Sequence, residues 1–159
     1  MRRSLLVVAI VFFCVVASAQ TKVSGTAQCP GAPDVQHTIP AGDFPEHTLG
    51  VEQSKCTWSK PQEIGGDKSK DAKVTQTNEM TENLLRVHGV IVMTMESGDK
   101  LFGWYQGTAP VKDGQVTEGL KGSWEYTGGS GKLKGVRGKG TFTCGDDGCV
   151  VEGEYQLVK

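Results

Sequence analysis

The chain has 159 residues, 37% of them hydrophobic and 22% charged, with 22 glycines and five cysteines. That length suits one domain and excludes a multidomain enzyme or an α/β barrel of ordinary size, and a formal net charge of −1 recommends no nucleic-acid partner. Glycine stands at about twice its usual share without a Gly-X-Y period, which excludes a collagen helix.

Residues 1–19 read as a secretory signal peptide. Arg2 and Arg3 form a positive start, residues 5–16 are almost unbroken apolar chain, and Ala17-Ser18-Ala19 is a cleavage signal. The apolar run is too short to span a bilayer, which takes about 20 residues. A lipoprotein anchor at Cys14 would place bulky Phe13 where a small residue is expected. Cleavage after Ala19 predicts a protein secreted or delivered to the periplasm, with no membrane attachment afterwards. It leaves 15 basic against 18 acidic side chains and four cysteines, Cys29, Cys56, Cys144 and Cys149.

Behind the leader, residues 21–27 form a weak strand. Residues 29–50, with Pro30, Pro33, Pro40 and Pro45, show little alternation and predict an ordered or semi-ordered loop. The N-terminal strand and this Pro-rich loop make one segment, 20–50, and a β-barrel domain follows over 51–159. Strands are predicted over 51–58 and 72–78. The clearest is 85–96, where Leu85, Val87, Gly89, Ile91, Met93 and Met95 alternate with Arg86, His88, Val90, Val92, Thr94 and Glu96. Ser97-Gly98-Asp99-Lys100 turns the chain into a strand over 101–108, and Asp113-Gly114 turns it again into one over 116–126. A last hairpin runs 139–144 and 149–157 around Gly145-Asp146-Asp147-Gly148.

Four cysteines in an exported chain predict disulfides. Facing positions in the last hairpin pair Cys144 with Cys149, which leaves Cys29 for Cys56. The alternative, a four-ligand zinc site, lacks a second knuckle around Cys29 and Cys56. About eight short strands joined by hairpins predict an all-β fold, a sandwich or barrel. Glycines inside the strands, among them Gly89, Gly103, Gly140 and Gly153, permit the coiling that closure needs, so the expectation is a single antiparallel closed barrel.

The run Trp124-Glu125-Tyr126-Thr127-Gly128-Gly129-Ser130-Gly131, continuing through Gly135 to Gly138-Lys139-Gly140-Thr141-Phe142, resembles the turn signature of the allene oxide cyclase-like barrel family, whose relatives include dirigent-like proteins. Residues 51–61 and 88–107 also look like segments of small exported bacterial proteins of that kind, so the likeness covers roughly 50–159. It implies an antiparallel barrel of about eight strands with a largely apolar cavity. The family's functional residues lie in its N-terminal strands, where this sequence departs, so cyclase activity is not carried over.

Several residues invite chemistry. Trp58, Trp104, Tyr105, Trp124 and Tyr126 could line a ligand cavity or fill the barrel as core. His88 could do acid–base work if its face lines the lumen, and Glu79 or Glu82 could act at a cavity mouth. His37, Asp43, Glu46 and His47 lack metal-site spacing, so no metal is expected. Lys132, Lys134, Arg137 and Lys139 lie in the Gly-rich stretch 128–140 and could attract an anion, but Leu133 stands where a phosphate loop needs Ser or Thr. The sequence therefore predicts no catalytic residue and no cofactor. The ligand-binding candidates are Trp58, His88, Trp104, Tyr105, Trp124 and Tyr126. The leading expectation is a non-enzymatic exported barrel holding a small apolar or amphipathic ligand. The alternatives are an isomerase or cyclase using the cavity, or a homo-oligomer acting through its surface.

Overall fold

The computed structural model describes residues 20–158; the leader expected over residues 1–19 lies outside them. Eleven strands follow in order: β1 (Thr21–Gln28), β2 (Val35–Pro40), β3 (Thr48–Lys60), β4 (Glu63–Ile64), β5 (Asp67–Met80), β6 (Leu84–Met95), β7 (Lys100–Lys112), β8 (Gln115–Val116), β9 (Lys121–Gly129), β10 (Val136–Gly145) and β11 (Gly148–Leu157). A short 3-10 turn, Gly131–Leu133, joins β9 to β10.

Eight of these, β1, β3, β5, β6, β7, β9, β10 and β11, form an up-and-down barrel. Each pairs antiparallel with the next in that order, and β11 returns to β1. The closed antiparallel barrel expected from the strand pattern is therefore the fold, with β2, β4 and β8 as additions at its ends. Register shifts at Thr26/Ala27, Ser69/Asp71 and Phe102/Gly103 add local bend and twist, which is how short strands curl into a closed sheet.

The alternation in β6 becomes a division between inside and outside. Val87, Gly89, Met93 and Met95 are buried, whereas Arg86, His88 and Val90 are exposed. Successive side chains of a strand point to opposite faces, and burying the apolar row against the other strands' rows drives closure. One end of the barrel is stoppered by Ile64, Met95, Leu101, Leu133 and Val136, each fully buried. The 3-10 turn delivers Leu133 to this plug.

Both expected disulfides are present, Cys29–Cys56 and Cys144–Cys149. Cys144 and Cys149 are directly opposed in the β10–β11 ladder, as the hairpin reading required. Two disulfides suit an oxidising, extracellular or periplasmic setting.

Two local expectations need correction. The segment 29–50 is not all loop: residues 35–40 form β2, paired to β3 from Val35↔Gln53 to Pro40↔Thr48. Val35, His37 and Ile39 alternate with polar residues, and Pro40 ends an edge strand, where a missing N–H costs no ladder bond. The prolines around this short run hid it. The strand expected over 116–126 is interrupted between β8 and β9, because Thr117 N–H turns back to the Pro110 carbonyl (3.0 Å).

Candidate functional site

Inside the barrel, between the plug and the disulfide-bearing end, lies a cavity of about 290 Å³. Its position follows from one ring of residues paired strand to strand: Glu52 faces Gln76, Gln76 faces Gly89, Gly89 faces Tyr105, Tyr105 faces Trp124, Trp124 faces Gly140, and Gly140 faces Gly153. Large rings alternate here with bare backbone. A Cβ on Gly89 would stand 2.6 Å from the Tyr105 ring, and one on Gly153 would stand 2.5 Å from Trp124 Cζ2. The glycines thus let the aromatic rings lie over the strands beside them and leave space at the centre.

Four of the six predicted residues meet in this cavity: Trp58, Tyr105, Trp124 and Tyr126. Trp124 and Tyr126 pack at 4.3 Å between ring centroids, and Tyr105 meets Phe142 edge-on at 5.9 Å. The other two are placed elsewhere. His88 and Trp104 occupy the outward parity of β6 and β7 and stack on each other at 6.2 Å across the barrel's outer face. Neither lines the cavity.

The polar groups of the lumen are few and specific. Tyr105 Oη donates to Gln76 Oε1 (2.6 Å), Gln76 Nε2 donates to Glu52 Oε2 (2.9 Å), and Gln36 Nε2 donates to Glu52 Oε1 (3.0 Å). Tyr126 Oη donates to Gln62 Oε1 (2.6 Å). Burial raises the Tyr105 phenol pKa, and the Glu52 charge raises it further. Burial also raises that of Tyr126, only partly offset by its bond to Gln62. Both phenols therefore remain neutral donors. Trp124 Nε1 donates to the Thr141 carbonyl (3.1 Å). Trp58 Nε1 and Gln62 Nε2 are buried and find no partner among the described residues.

Reading the sequence missed Gln62, Glu52 and Gln76. Gln62 lies just past the end of β3, in Lys60-Pro61-Gln62-Glu63, and looks like an ordinary polar turn residue. Its backbone N–H donates to Ser69 Oγ (2.8 Å), and its carbonyl accepts from Ser69 N–H (2.9 Å). That pair turns a polar side chain inward at complete burial. Glu52 shares its parity in β3 with Ser54, Cys56 and Trp58, a signal that could have marked an inward carboxylate.

The remaining candidates lie outside the barrel. His47 Nδ1 is 2.7 Å from Asp43 Oδ1 and Nε2 is 3.3 Å from Glu79 Oε1, while Glu79 also pairs with Arg86 (3.6 Å). This fastens the Pro-rich segment to β5. Glu46 sits in a turn with φ of 64°, and His37 lies on exposed β2. Among the described residues no group of three or more His, Cys, Asp or Glu is arranged to hold a metal. Lys132, Lys134, Arg137 and Lys139 are exposed, and Arg137 Nη1 donates to the Val136 carbonyl.

No protein-family model matches the chain, and none of the curated proteins matches it. Among solved structures it is similar to a protein of the DUF3224 family from Shewanella oneidensis, described as of unknown function. That likeness has a TM-score of 0.58 at 16% identity and covers 89% of this chain and 99% of the other. It identifies a shared barrel fold and, at that identity, the fold alone.

Proposed function

We propose that this protein is an exported barrel that binds a small apolar or amphipathic ligand in its lumen. One observation carries the reading: the aromatic rings are parked against glycine-lined walls, and a cavity of about 290 Å³ is left between them. Packing alone would favour filling that space, because a void forfeits dispersion contacts. An eight-stranded barrel is wide enough for one small ligand. The turn signature shared with allene oxide cyclase-like barrels, and an N-terminal leader that would route the chain to an oxidising compartment, support the same reading.

The test is mass spectrometry of small molecules released on denaturing protein purified from its native host. A recurrent compound at a substantial fraction of the protein's molar amount is the expected result. Release of nothing above a blank, together with failure of any apolar probe to enter the purified protein, would refute the reading.

Catalysis in the same cavity is the second reading, favoured by the presence of Glu52 in its lining. Both Glu52 oxygens already accept amide hydrogen bonds, from Gln36 and Gln76. The residues first considered for acid–base work, His88 and Glu79, lie away from the cavity. Binding is therefore the stronger proposal.

A further inference from the structure

The lumen leaves two polar groups bare. Trp58 Nε1 can only donate a hydrogen bond, and it is buried with no partner among the described residues. Gln62 is fully buried, and one end of its amide is taken by Tyr126 while Nε2 is free. Both side chains press on the same bare backbone. A Cβ at Gly25 would meet Gln62 Cγ at 2.6 Å and Trp58 Cζ3 at 3.0 Å. The two side chains thus back onto the same stretch of β1, and both line the cavity. By contrast, the neighbouring indole of Trp124 is satisfied by a backbone carbonyl. A buried donor without an acceptor destabilises the fold, so a pair of them at one cavity wall is a recognition feature rather than a packing one.

The charge of the lining narrows the occupant. Glu52 is the one charged side chain among the cavity residues, and no Lys, Arg or His joins it. A carboxylate ligand would be desolvated without a counter-charge and would feel Glu52 as a like charge. A cation would find the Glu52 oxygens already engaged and two bare donors facing it. A neutral molecule with a lone-pair oxygen suits both the donors and the field. At roughly 30 Å³ for each water-sized group, the cavity holds on the order of ten non-hydrogen atoms. The rest of the wall, from Ala72, Val74, Ile91 and Met93 to the aromatics, is apolar.

We propose that the lumen is a site for a small neutral molecule carrying one hydrogen-bond acceptor, such as a ketone or ester carbonyl, whose oxygen docks on Trp58 Nε1 and the Gln62 amide while its hydrocarbon part lies along the aromatic wall. The proposal rests on the lumen-binding reading and adds the chemistry of the bound group.

Three probes of matched length separate the two ideas: 2-heptanone, heptane and heptanoate. They are added to the disulfide-bonded protein and followed by the indole N–H resonances, that of Trp58 being assigned by its loss in Trp58→Phe. The expected result is that 2-heptanone binds more tightly than heptane and shifts the Trp58 N–H downfield, while heptane leaves that proton in place and heptanoate binds weakest. Trp58→Phe keeps an aromatic ring but removes the donor, and it should weaken the ketone about fivefold while changing heptane by less than twofold. Gln62→Met removes the amide donor, Tyr126→Phe combined with it removes the hydroxyl that would otherwise lose its acceptor, and the pair should act in the same direction. If ketone and heptane bind equally and neither variant tells them apart, the acceptor site is overturned and lumen binding stands. Tighter binding of heptanoate than of the ketone also overturns it. If none of the three probes perturbs a cavity residue, the lumen-binding reading falls as well.

Discussion

Cys29–Cys56 closes a ring with a sequence separation of 27, and Cys144–Cys149 one with a separation of 5. A cross-link lowers the entropy of the unfolded chain by an amount that grows with ring size. That relation gives about 3.6 kcal/mol for the first ring and about 2.2 kcal/mol for the second. Cys56 is also 1% exposed, so Cys56→Ala removes a packed sulfur and adds on the order of 1 kcal/mol. An unfolding entropy of roughly 2.1 cal/mol/K per residue, applied to a domain of this size, converts 1 kcal/mol into about 3.4 °C. The Cys29→Ala/Cys56→Ala variant should therefore melt at least about 12 °C below the parent, and Cys144→Ala/Cys149→Ala about 8 °C below it. Calorimetry with urea titration at one pH measures both. The long-ring variant should also release a lumen probe faster, because Cys29 anchors the Pro30–Pro33 segment that lines the cavity. Equal losses, or a larger loss from the short ring, would refute the ring-entropy argument.

Gly153→Ala should cost about 3 kcal/mol, since its Cβ would collide with the Lys139 carbonyl oxygen of the paired strand and would also meet Trp124 Cζ2 at 2.5 Å and Gly140 Cα at 2.8 Å; urea unfolding checks this, and a change below about 1 kcal/mol would show that backbone and ring here both yield to a methyl group. Trp104→Ala, on the outer face beside His88, should leave 2-heptanone affinity within about twofold of the parent, well under the tenfold that 1.4 kcal/mol represents. A larger loss would place the binding surface outside the barrel. The Tyr105 and Tyr126 phenols have raised pKa values in the folded protein, so their contribution is complete below the unfolded tyrosine value of about 10 and is lost as pH rises above it. Urea midpoints should fall above about pH 10, and Tyr126→Phe should flatten that fall. Midpoints independent of pH there would contradict the burial of these hydroxyls.

Much of the barrel is written in local pattern. The alternation of Leu85 to Glu96 specifies a strand with one apolar face, because the pleat repeats every second residue whatever the strand packs against. Cys144 and Cys149 flank a turn, so their pairing follows from hairpin geometry and is legible without a tertiary fold. The β2 strand was obscured because two prolines outweigh one short run of Val35, His37 and Ile39, and because its support is a pairing partner, β3, that begins eight residues after it ends.

The site was legible only in part. Aromatic residues at alternating positions of β7 and β9 announce a wall, and Tyr105, Trp124 and Tyr126 form one. Trp104 is next in sequence to Tyr105 yet faces outward, since adjacent residues in a strand point to opposite faces. No local signal says which of two rows a closed sheet will turn inward. The Glu52, Gln76, Gly89 and Tyr105 ring spans four strands and exists only through their register. Gln62 is further still from the sequence pattern, because a turn residue enters a core only when its backbone is satisfied elsewhere, here by Ser69. The sequence alone determined most of the barrel strands, their hairpin turns and the Cys144–Cys149 pairing, since these depend on backbone conformation and near neighbours. The tertiary structure alone decided which groups share the lumen, since that depends on burial and on contacts between residues far apart in the chain.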